Sequence, residues 1–201
     1  MGILASFTNP KSPLWQGPQR LHHHLFLVKA FILFIFIIIV ISHNASFKYG
    51  FNDRDNDPRW QSFANDWFFR TGFAMIPDAI YTLFSLVAIP QSASAPNLFH
   101  PILALTFSLV MVCLYAAICF LHTLIIYNDE SNTYNKSYWD GLGYAEVGFQ
   151  GVIGLLYAGM ALLSCIAVHR WRRSKKGERA GYTADVELTP STKDGRASDL
   201  S

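Results

Sequence analysis

Residues 30–41 read AFILFIFIIIVI, twelve apolar side chains in a row, and this block decides the fold class. A helix that is apolar on every face belongs in a large core or in lipid. Working outward, the run occupies residues 25–41, and three further apolar stretches follow at 73–89, 102–127 and 147–168. A hydrocarbon core about 30 Å thick takes roughly 17–25 such residues per helix. Backbone groups in lipid must be satisfied within the segment or in a closed barrel, and the alternating pattern of barrel strands is missing here. The expectation is an all-α membrane protein, a four-transmembrane-helix bundle. The second stretch is broken by Pro77 and Asp78. The first is longer than the apolar region of a signal peptide, and no small-x-small pattern follows it, so it reads as a retained anchor.

With 51% hydrophobic and 15% charged residues in a chain of 201, four spans leave no room for a separate soluble domain. The organisation expected is a cytosolic N-terminal segment (1–24), a transmembrane domain (25–170) and a tail (171–201) that is basic at first and then disordered. An even number of spans puts both termini on one side. The N-terminal flank carries Lys11, Arg20 and Lys29, and the fourth span is followed by Arg170, Arg172, Arg173, Lys175, Lys176 and Arg179. The other side carries Lys48, Arg54, Arg59, Arg70 and Lys136. Nine basic residues against five place both termini in the cytosol. The membrane is then the plasma membrane or one of the secretory pathway.

Two N-x-S sequons, at Asn44 and Asn135, fall in the outer loops, Asn135 being the better glycosylation acceptor because Asn44 lies close to the membrane. In the first outer loop, Trp60, Phe63, Ala64 and Trp67 share one helical face, with Asp57 as cap and Pro58 at the first position, as suits a short interfacial helix. Cys113, Cys119 and Cys165 all lie within spans, so no disulfide staples an outer loop. They read as small packing residues, with palmitoylation of Cys165 as an alternative. The MGILAS start fits the pattern for myristoylation of Gly2. The cluster Arg170, Arg172, Arg173, Lys175 and Lys176 suits contact with anionic lipid headgroups.

Polar residues within the spans carry the most information. Asp78, Tyr81, Thr82 and Ser85 share one face of the second span, and Ser108, Tyr115 and His122 recur every seven residues in the third. Such residues avoid lipid, so the two stripes should face the bundle interior as a polar seam. Counting inward from the span ends puts Asp78 and His122 at one depth, where they could meet, with Gln150 near the same level. The seam reads as a hydrogen-bonded clamp or, alternatively, as a proton or ion site. Span four is rich in small residues, and Gly154 with Ala158 permits close helix approach, within the bundle or in self-association.

Motifs for zinc proteases, serine hydrolases, phosphate loops and paired acids are absent from the sequence, so no enzyme and no cofactor are expected. Consecutive His22, His23 and His24 point in different directions on a helix and read as a polar cytosolic flank, not a metal site. No nucleic-acid partner is expected. The partners expected are the bilayer and other membrane proteins.

Four spans, cytosolic termini, short loops without cysteines, a basic tail with Ser and Thr, and the stretches YTLFSLVAI (81–89) and WDGLGYAEVGF (139–149) together resemble the MARVEL group of membrane proteins, in particular its small fungal members. The resemblance covers residues 21–173 and supplies no catalytic residues. It implies a non-enzymatic role in organising membrane domains, or in membrane apposition and vesicle traffic. The alternative function is a small proton- or ion-coupled transporter or channel that uses the Asp78–His122 seam.

Overall fold

The computed structural model describes the backbone of residues 7, 15, 20–50, 68–91, 99–127 and 137–188. Four long helices make up nearly all of it: α1 (Arg20–Gly50), α2 (Phe73–Gln91), α3 (Pro101–Ile125) and α4 (Ser137–Leu188). A π-helical turn, Phe68–Gly72, leads into α2. Among the described residues there is no strand. The stretches Arg20–Ala45, Arg70–Gln91, Pro101–Ile125 and Gly141–Lys176 are each long and apolar enough to cross a membrane. The protein is therefore all-α, with four candidate transmembrane helices.

The buried positions explain how these helices pair. In α3 they are Pro101, Ala104, Ser108, Met111, Tyr115, Ile118 and His122, in alternating steps of three and four. The same rhythm appears in α1 (Phe26, Lys29, Leu33, Phe36, Val40, His43) and in α4 (Glu146, Gln150, Ile153, Tyr157, Met160, Ser164). A repeat of 3.5 residues keeps one seam facing its neighbours when helices wind left-handedly around each other. The opposite faces carry Phe31, Phe34, Ile80, Leu83, Phe120, Leu155 and Leu162, all exposed. Leu155 is 74% exposed, an arrangement that lipid stabilises and water would not.

Helices α3 and α4 approach most closely, and α1 packs on α4 as well. A Cβ at Gly154 would sit 3.4 Å from that of Tyr115, and one at Gly159 would sit 3.2 Å from Leu25 Cδ1. By contrast, Gly148 and Gly151 face open space, so only part of the small-residue series serves the bundle. Helix α3 starts with Pro101 at its first position, and the His100 side chain accepts the Ile102 N–H at 3.2 Å.

Three expectations are corrected. The fourth helix does not stop near residue 168, because α4 continues without a break to Leu188, into the tail expected to be basic and then disordered; residues 189–201 lie outside the described residues. The span supplies the costly helix nucleus, and the Arg and Lys residues just beyond it propagate the helix despite Gly177 and Gly181. Second, the N-terminal segment does not end at residue 24: α1 begins at Arg20, and Phe7 and Trp15 are buried in the core. Third, Lys29 is not a flanking charge but lies fully buried nine residues inside α1.

Candidate functional site

The bundle interior carries polar groups at three levels. At the middle level, Lys29 Nζ lies 2.7 Å from Asp78 Oδ1, and neither side chain is exposed at all. The ammonium also donates to the Tyr157 hydroxyl at 3.1 Å and to the Thr82 hydroxyl, so its three protons have three acceptors. Tyr157 in turn donates to Asp78 Oδ1 at 2.6 Å, and Tyr115 donates to Oδ2 at 2.7 Å. The Thr82 hydroxyl donates back to the Asp78 carbonyl at 2.7 Å. Every helix contributes: α1 gives Lys29, α2 gives Asp78 and Thr82, α3 gives Tyr115 and α4 gives Tyr157. Aromatic faces surround the ammonium, with Tyr157, Phe26 and Tyr81 ring centroids at 5.0, 5.1 and 5.8 Å. Pro77 offers no N–H to the carbonyl of Phe73, at the junction of the π turn and α2.

At the outer level, the end of the bundle away from the start of α1, His43 Nδ1 lies 2.8 Å from Glu146 Oε1, and His122 Nε2 lies 3.7 Å from Glu146 Oε2. Gln150 donates to the Arg70 carbonyl at 2.9 Å, tying α4 to the π turn. Phe36, Ala74, Ile118 and Ile153 form an apolar layer between this level and the middle one. Asp78 and His122 therefore do not meet: Asp78 pairs with Lys29, and His122 stands one heptad beyond Tyr115, roughly 10 Å along α3. The expected depth failed because the second span starts at Arg70 and the third ends at Ile125. Asp78 is thus about 12 Å from its span end and His122 about 5 Å from its own. Arg70, placed by the sequence in the outer loop, is itself buried.

At the inner level, Trp15 Nε1 donates to the Phe99 carbonyl at 3.1 Å. The Trp15 ring lies 4.6 Å from His22 and 5.1 Å from His23, which corrects the reading of the histidines as a polar flank. Only His24 of the three is exposed. Aromatic packing at the mouth of the bundle draws the other two rings inward. Among the described residues, no group of three His, Cys, Asp or Glu is arranged to hold a metal ion.

All seven seam residues named from the sequence are buried: Asp78, Tyr81, Thr82, Ser85, Ser108, Tyr115 and His122. The structure brings Asp78, Thr82 and Tyr115 together. Tyr81 instead stacks on Phe107 at 3.8 Å with Ser85 one turn along the same face, and the Ser108 hydroxyl has no hydrogen-bond partner among the described residues.

The remaining candidates lie apart from these levels. Asn44 sits inside α1, its amide donated to the Val40 carbonyl at 2.8 Å. Gly2, Asn135 and the interfacial segment with Trp60, Phe63, Ala64 and Trp67 fall outside the described residues. Cys113 and Cys165 are exposed on the bundle surface, while Cys119 Sγ faces the Val147 carbonyl at 3.9 Å. Arg170, Arg172, Arg173, Lys175 and Lys176 are all exposed on α4. Lys175 Nζ stands 4.8 Å over the Trp171 ring, and Trp171 meets His100 edge-on. Partial burial, and then the Lys175 charge, holds His100 below the usual imidazole range.

Sequence reasoning missed Lys29, His43, Glu146 and Tyr157 as members of the seam. The signal was the 3.5-residue rhythm: each falls on the same register as its apolar neighbours. No protein-family model, curated protein or solved structure matches this chain.

Proposed function

We propose that this chain is a non-enzymatic integral membrane protein that organises membrane domains, or assists membrane apposition and vesicle traffic, as the MARVEL group it resembles would imply. The observation that carries this reading is the closed state of the middle level. Lys29 and Asp78 neutralise each other, and both are fully hydrogen-bonded by side chains from all four helices. A pair so completely engaged fixes helix register and leaves nothing to exchange with a transported ion. The protein then acts through its surface, an apolar girdle with a basic collar.

That collar, residues 170–176, suits anionic lipids, and it stands on a helix that leaves the membrane without a break. Taking the buried Lys29 and Arg70 out of the loop count leaves eight basic residues against four. That balance supports the reading in which both termini are cytosolic, at the plasma membrane or in the secretory pathway.

One observation favours the second reading, a proton- or ion-coupled carrier. The buried Ser108 hydroxyl, without a hydrogen-bond partner among the described residues, lies on the inner side of the clamp, where a buried hydroxyl calls for water. Liposomes containing the purified full chain and an internal pH dye separate the two. Under an imposed potential the scaffold reading expects no proton flux above that of protein-free liposomes. A flux that disappears in Asp78→Asn would replace it with the carrier.

A further inference from the structure

One heptad inward from the clamp, about 10 Å along each helix, every clamp position is repeated by another polar residue. Lys29 gives way to His22, Asp78 to Ser85, Tyr115 to Ser108 and Tyr157 to Ser164, and all four are 0% exposed. Tyr115 and Tyr157 stack with ring centroids 6.1 Å apart, so Ser108 and Ser164 occupy the same α3–α4 register with far smaller side chains. Ala104 and Ala161, each one turn away and buried, keep the neighbouring positions small as well. Other helical hydroxyls in this protein bond back to the carbonyl four residues earlier: Ser42 to Ile38 at 2.8 Å, and Thr82 to Asp78 and Thr123 to Cys119 at 2.7 Å. Ser108 and Ser164 make no such bond and have no other partner among the described residues. Neither ring nitrogen of His22 is bonded among the described residues either.

We propose that this layer is a bound-water site, in which water held by the Ser108 and Ser164 hydroxyls links α3 to α4 on the inner side of the clamp. A buried hydroxyl without a partner is costly, and an internal water typically makes about three hydrogen bonds to groups of this kind. The two hydroxyls supply two of those bonds. The second lone pair of a neighbouring helix carbonyl supplies another. His22 carries the polar lining on toward the inner mouth. On the other side of the clamp, Phe36, Ala74, Ile118 and Ile153 offer water nothing to bond. The Lys29–Asp78 pair therefore has one wet side and one dry side. The inference goes beyond the scaffold reading and holds for the carrier equally, because bound water is not transport.

Native methionines report on the layer. Met111 and Met160 lie one turn from Ser108 and Ser164 on the clamp side, and both are fully buried, whereas Met75 of α2 is half-buried one turn outward of Asp78. The full chain in detergent micelles is given a brief X-ray pulse, which makes hydroxyl radicals wherever water lies. Methionine sulfoxide is then read peptide by peptide. Burial alone would make Met75 the fastest to oxidise. The water site reverses that order, with Met111 and Met160 at least about threefold faster than Met75. A radical scavenger in the buffer should slow Met75 more than the other two, whose radicals arise inside the protein. In the variant carrying both Ser108→Ala and Ser164→Ala, Met111 and Met160 should fall to the Met75 rate or below it. Unfolding in SDS shows whether that variant folds, and the wild-type order decides if it does not. Met111 and Met160 no faster than Met75 in the wild type, or undiminished in the folded variant, overturn the water site.

Discussion

Replacing Lys29 with methionine keeps the volume of the side chain and removes the cation that pairs with Asp78. The carboxylate would keep the Tyr115 and Tyr157 hydroxyls but lose its neutralising charge. Breaking a buried pair this way costs about 3–5 kcal/mol. A ceiling follows from the alternative of protonating the acid. From a carboxyl pKa of about 3.9 in water, that costs about 4 kcal/mol at pH 7 and about 1.4 kcal/mol less for each unit the pH is lowered. Acid should therefore relieve the Lys29→Met defect. Asp78→Asn strands the ammonium instead, which must shed a proton at a similar cost at pH 7, so alkali should relieve that defect. The double variant strands neither charge and should recover most of the loss, a coupling of about 3 kcal/mol. Unfolding in mixed micelles with increasing SDS, at pH 5.5, 7 and 8.5, reads all three. A double variant as unstable as the sum of the singles, or single variants with the same pH trend, refutes the clamp. The amide is not the mild change that an Asp78–His122 contact would have made it, because the partner is a lysine.

The glycines give a cheaper check on packing. Gly148→Ala and Gly151→Ala meet open space and should leave detergent resistance unchanged, or raise it by up to about 1 kcal/mol through helix propensity. Gly154→Leu must displace Tyr115 and should lower it by about 1–3 kcal/mol, in the same melting assay. A glycan on the expressed protein should disappear from gels in Asn135→Gln and persist in Asn44→Gln, since the Asn44 amide is held inside α1. A glycan lost only in Asn44→Gln would count against this register of the first span.

The bundle was legible because lipid imposes length and apolarity on every span, and residues 30–41 satisfy both without ambiguity. The inward faces of α2 and α3 were legible too, since polar side chains cannot face hydrocarbon. What could not be read was which inward groups touch. Helix depth depends on where each helix starts, and Arg70 and Arg20 begin theirs earlier than hydropathy alone suggests. Lys29 was misplaced for a related reason. A lysine near the end of an apolar run looks like a flanking charge, and only a partner on another helix, Asp78, makes it a core residue. Tyr157 was hidden in the same way, as one aromatic among many in α4. The extension of α4 to Leu188 escaped because a charged run without apolar periodicity, interrupted by Gly177 and Gly181, gives no packing signal.

Helix α4 has a mechanical consequence. From Ser137 to Leu188 it is one uninterrupted rod of 52 residues, about 78 Å long, against a hydrocarbon core of about 30 Å. Glu146 and Gln150 lie near one end of it and the basic collar well past the middle. A tilt of about 10° at the Glu146 level would sweep the far tip through roughly 10 Å over that lever arm. Whatever pries at one face of the membrane is thus felt, enlarged, by anything resting against the rod on the other.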